Sequence, residues 1–116
     1  MTSGFKIRFP GGYDIEDVFN DNIDLNVVLQ DKRVFFATAY TIKNIEYLLE
    51  KDQDIYFWST DMFIIKDLEK ITIKKSIEKI IENDFFESIF SKIGSVEDVY
   101  SSSLDYEKIV DECPAE

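Results

Sequence analysis

The sequence predicts an α+β domain, with a mainly antiparallel sheet of four or five strands packed by two or three helices. Three observations carry this reading. The chain opens in period-two alternation, Phe5, Ile7 and Phe9 set against Lys6 and Arg8. Two helical stripes follow, Ile42, Ile45, Leu48 and Leu49, then Ile73, Ile77, Ile80 and Ile81. The length of 116 residues, 45% hydrophobic and 32% charged, suits one domain that closes its own core without disulfides or metal.

The elements follow in order. Pro10-Gly11-Gly12 stops the first strand, and the acidic residues 13–22 form a loop or a short helical turn. Leu25, Val27 and Leu29 share one face of a second strand, and Asp31-Lys32-Arg33 makes a turn of hairpin length. Val34 to Tyr40 is β-branched and aromatic on both faces, which predicts a central strand. The period then changes to helical, with Thr41 as N-cap and Lys51-Asp52 at the exit. Asp54 to Ser59 and Met62 to Lys66 are strongly β-prone and predict one long bulged strand or a tight hairpin. The longest helix follows, capped at Thr72 and interrupted at Asn83-Asp84. Phe85, Phe86, Ile89, Phe90 and Ile93 continue helical spacing to Gly94, placed as a C-cap. Residues 1–94 thus form the body, and the acidic segment 95–116, rich in serine, is expected to dock on it through Val99, Tyr100, Leu104, Tyr106, Ile109 and Val110.

Composition excludes much chemistry. There is no histidine and one cysteine, Cys113, so structural zinc and nucleophilic triads lack their residues. Asp17, Asp21 and Asp24 cluster but do not follow the spacing of a calcium loop. Gly11-Gly12 leads into acids that would repel phosphate, so no nucleotide site is expected. With 24 acids some carboxylate pair is inevitable, and none singles out glycoside chemistry. No catalysis, cofactor or metal is expected. A net charge of −11 argues against direct nucleic-acid binding. The lone cysteine and the lack of an apolar leader or a spanning stretch predict a cytoplasmic protein with no membrane partner.

Two features stand out. One is Ile55-Tyr56-Phe57-Trp58-Ser59-Thr60-Asp61, where a strand would set Phe57 opposite Tyr56 and Trp58. Either all three aromatics are core, or Tyr56 and Trp58 anchor a partner. The other is the acid set Glu78, Glu82, Asp84 and Glu87, which is either an ordinary solvated face paired with Lys74, Lys75 and Lys79 or a charged rim. The binding reading joins Tyr56 and Trp58 as anchors with Asp61, Glu82, Asp84 and Glu87 as charge partners.

The stretch from Asn22 to Ile93 also resembles small bacterial immunity proteins of contact-dependent inhibition and polymorphic toxin systems. The residues that carry the likeness are Asp24-Leu25-Asn26-Val27, Phe35-Phe36-Ala37-Thr38, Thr41-Ile42-Lys43-Asn44-Ile45, Tyr56-Phe57-Trp58-Ser59-Thr60-Asp61-Met62 and Phe86-Glu87-Ser88-Ile89-Phe90. The resemblance implies an acidic cytoplasmic protein that binds and neutralises a cognate toxin encoded beside it. Charge favours the same class, because a toxin that attacks RNA or DNA carries a basic site that a negative inhibitor can find and occlude. Two other classes remain: an acidic mimic of nucleic acid of the anti-restriction type, and a structural or interaction module. A mimic would spread its acids in duplex-like rows, whereas an immunity protein would gather them round an aromatic centre.

Overall fold

Three strands lie side by side in chain order: β1 (Phe5–Arg8), β2 (Asn22–Leu29) and β3 (Arg33–Thr41), each antiparallel to the next. The β2–β3 turn closes with the Lys32 amide donating to the Leu29 carbonyl at 2.9 Å, Lys32 itself lying at φ 72°. The computed structural model describes residues 4–101 and 104–114. Helix α1 (Ile42–Asp52) leaves β3 directly, and the Thr41 hydroxyl caps it by accepting from the Asn44 amide. After the connection 53–61 come β4 (Met62–Ile65), α2 (Lys70–Glu82), α3 (Phe86–Ile89), β5 (Ser91–Ser95), α4 (Val96–Tyr100) and a 3₁₀ turn at Tyr106–Lys108.

The result is the α+β domain expected, with five strands and four helices among the described residues. The sheet is mostly antiparallel with one parallel pair, β3 with β4. β3 is central. One of its edges pairs with β2, and the other is shared by β4 along Thr38–Thr41 and β5 along Arg33–Phe36. β4 and β5 therefore start near the middle of β3 and run apart.

Four local expectations need correction. Residues 54–59 form no strand: β5 takes the stretch of the β3 edge that a longer β4 would follow, and Phe57 packs on Tyr40 instead of pairing along β4. The helix continuing to Gly94 ends at Ile89, since Ser91–Ser95 turns into β5. Gly94 is no C-cap; it sits at φ 146° beside the β3–β5 register shift, where a side chain would crowd Asp98. Finally, α2 starts at Lys70 after Glu69, and Thr72 lies inside it, its carbonyl accepting from the Ser76 hydroxyl.

The sheet has two differently covered faces. Phe5, Ile7, Leu25, Val27, Phe35, Ala37 and Ala39 point to one, where Ile73 and Ile77 of α2, Phe86 of α3, Phe90 and Cys113 close the main core. Phe86 packs edge-on to Phe35 at 4.9 Å and stacks on Phe90 at 4.7 Å. On the other face Val28 and Val34 form a smaller core with Val96 of α4 and Ile109.

The acidic segment after β5 is tied along β1. The Glu112 amide donates to the Ile7 carbonyl, and the carboxylates of Asp111 and Glu112 accept from the amides of Ile7 and Phe9. Lys6 lies over the Tyr106 ring and donates to the carbonyls of Tyr106 and Ile109. Ser102, Ser103 and residues 115–116 of this segment lie outside the described residues.

Candidate functional site

Sequence dictates how the connection 53–61 is held. Gln53 ends α1 in the left-handed region at φ 55°, and the Asp54 amide donates back to the Leu49 carbonyl. At the far end Asp61, at φ 50°, accepts from the Thr38 amide through its carbonyl and from the Ser91 hydroxyl through its carboxylate. Between these ends Phe57 sets its ring edge-on to Tyr40, with centroids 5.0 Å apart and planes at 67°.

That single anchor decides the fate of its neighbours. Tyr56 and Trp58 remain 66% and 69% exposed, and Ile55 is 97% exposed. So much apolar surface in one loop is a feature of contact sites more than of inert surface.

Tyr40 belongs to the second sheet face, the one opposite α2 and α3. Register places it in a row with Asn22 of β2 and Ile64 of β4, and places Thr38 in the next row with Asp24 and Met62. Farther along β2 and β3 the same face is sealed by α4, with the Asn26 amide group donating to the Tyr100 hydroxyl. In the two rows next to the connection it is only partly open: Ile64 is 57% exposed and Asp24 is exposed, Met62, Tyr40 and Asn22 are half-buried, Thr38 is buried, and the Asn22 side-chain amide donates to Asn44 of α1. Asp24 holds its place by accepting from the Thr38 hydroxyl at 2.8 Å.

Beside the start of β2, at the edge that the shorter β1 leaves unpaired, lies an open cleft of about 250 Å³. Asp14, Asp21 and Asp24 line it together with Gly11, Gly12 and Ile15. Asp24 thus belongs both to the open sheet face and to the cleft.

The proposed site residues fall in two groups. Tyr56 and Trp58 ride on the connection that Phe57 fixes to the open face. Glu82 ends α2, Asp84 follows it at φ 64°, and Glu87 lies in α3, so these acids belong to the helices that cover the opposite face. Asp61 is where the two groups approach, because its bond to Ser91 joins the connection to the residue that follows Phe90 at the end of α3. Sequence alone does not mark Ile64, Tyr40 and Asp24 as neighbours on one face. Their alternation within strands is visible in sequence, but their juxtaposition depends on the parallel pairing of β3 with β4.

The thiol of Cys113, 1% exposed, is pushed up to about 12 by burial and by the Asp111 charge, so it stays protonated and shielded. Among the described residues no group of three histidine, cysteine or acidic side chains is arranged to hold a metal ion, and no helix is long and apolar enough to cross a membrane. No protein-family model, curated protein or solved structure matches the chain.

Proposed function

We propose that this protein is an immunity-type inhibitor, a cytoplasmic non-enzymatic partner that binds a cognate bacterial toxin, most naturally a basic nuclease domain, and occludes its active site. The observation that carries the reading is the exposed pair Tyr56 and Trp58, held out by Phe57 on a chain of net charge −11. The aromatics supply a desolvated centre, and the charge supplies orientation and a fast approach. Neutralisation then needs no chemistry from the inhibitor, in keeping with its missing histidine and buried thiol.

The test is co-expression with the product of the adjacent reading frame in its own genome. Rescue of growth together with a stoichiometric complex supports the proposal. A neighbour that is harmless when expressed alone, or a toxic one that this chain neither binds nor neutralises, rejects it. Binding to a restriction enzyme, competitive with duplex DNA, would instead assign the protein to the mimics of nucleic acid.

A further inference from the structure

The geometry points to the strip of the second sheet face between exposed Asp24 of β2 and exposed Ile64 of β4 as the docking surface. Its occupant is a partner segment carrying an arginine or lysine on one side and an apolar side chain on the other. This inference rests on the inhibitor reading and gives it a place and a chemistry.

Three observations meet here. The apolar part comprises Ile64, 57% exposed, beside Tyr40, on which Phe57 packs; the neighbours of Phe57 in the connection, Tyr56 and Trp58, are exposed. The charged part lies across the sheet, where Asp24 opens into the cleft lined by Asp14 and Asp21. The two parts are fixed relative to each other by the ladder, since Asp24 and Ile64 stand two strand spacings and one row apart across β3, about 12 Å. A cation on Asp24 and an apolar group on Ile64 must therefore stand about that far apart on the occupant.

Charge selects among occupants. A second copy of this chain would bring another −11 against these carboxylates. Nucleic acid would bring phosphate to the same acids. A basic protein surface is the occupant that gains from both parts of the face.

Trp58 is the sole tryptophan and adjoins Phe57, whose ring packs on Tyr40 of this face, so its emission reports on the connection beside the surface. The experiment titrates the full chain with a short peptide of alternating arginine and leucine, beside oligolysine as a purely cationic control. Far-UV circular dichroism checks the fold of each variant. The alternating peptide is expected to shift Trp58 emission to the blue and to bind less tightly as salt rises from about 50 to about 300 mM. Ile64→Asp and Asp14→Lys change exposed residues, so the fold should persist, and each should weaken binding at least about tenfold. Glu107→Lys, which makes the same charge change as Asp14→Lys on the segment along β1, should stay within about twofold.

Several results overturn the assignment: no binding, oligolysine binding equally with Trp58 unmoved, or Glu107→Lys weakening binding as much as Asp14→Lys. Neutralisation of the neighbouring toxin combined with any of these leaves the inhibitor reading standing and removes this surface. A responsive Trp58 with no toxin neutralised does the reverse.

Discussion

The Ser91 hydroxyl donates to the Asp61 carboxylate at 2.5 Å, pinning the starts of two strands that leave one edge of β3 in opposite directions. Asp61 also fills a left-handed position and accepts from the Thr38 amide, so it has a structural task before any partner arrives.

Asp61→Ala should therefore cost about 1–2 kcal/mol, combining the lost charge-assisted bond with a residue that dislikes positive φ. Ser91→Ala should cost less, and the double variant should cost less than the sum of the two. Urea unfolding of the four proteins measures this. Strict additivity would mean that the bond contributes nothing.

Phe57 and Trp58 should behave oppositely despite being neighbours. Phe57→Ala removes the ring packed on Tyr40 and should destabilise by about 1–2 kcal/mol, while the fluorescence anisotropy of Trp58 falls as the connection loosens. Trp58→Ala should change stability by no more than about 0.5 kcal/mol, because its side chain is mostly in solvent. In a complex with the partner, Trp58→Ala should raise the dissociation rate. If Trp58→Ala unfolds the protein, the side chain is structural and its proposed role fails.

Alkaline pH should weaken the fold. Burial raises the Cys113 thiol from 9.0 to about 12 and holds the hydroxyls of Tyr13, Tyr100 and Tyr106 above their usual 10.0. The folded chain then keeps protons that the unfolded chain releases, so the stabilisation is complete below about pH 9 and is lost as pH climbs towards about 12. Urea midpoints taken from about pH 8 to about pH 11 should fall steadily. A flat or rising profile contradicts the burial of these groups.

Truncation before Leu104 should abolish cooperative melting. Ile109 and Cys113 are buried, each worth about 1.5–3 kcal/mol, and the amides of Ile7 and Phe9 would lose the carboxylates that accept from them. Retention of a sharp thermal transition would show that this segment is dispensable. Charge reversal at exposed Glu107 probes its electrostatics without that damage.

The legible parts of the fold are those fixed by neighbours in sequence. Alternation around Phe5–Phe9 and Leu25–Leu29, the turn at Asp31-Lys32-Arg33 and the cap at Thr41 are local, and the structure follows them. The failures are cases where tertiary competition decides. Tyr56-Phe57-Trp58 has high strand propensity but joins no ladder, its Phe57 ring packing on Tyr40 instead, whereas Ser91-Lys92-Ile93-Gly94-Ser95 has little propensity and takes the vacant edge of β3. Phe86 and Phe90 share helical spacing because both fill the same core, although only Phe86 lies within the helix. Of the site, exposed aromatics are visible as composition. That Ile64 stands beside Tyr40 needs the parallel pairing, which no local pattern encodes.

The bonds joining β1 to the segment around Asp111 and Glu112 have a kinetic consequence. Asp111 is 104 residues distant from Ile7 in sequence, so on the ribosome β1 emerges long before the residues that cover its outer side. Until then Phe5, Ile7 and Phe9 belong to an exposed, apolar sheet edge, a hazard for association with other nascent chains. Closure of this fold thus waits on a contact between residues far apart in sequence, which favours slow folding. A chaperone that shields the first strand would act where the chain is most vulnerable.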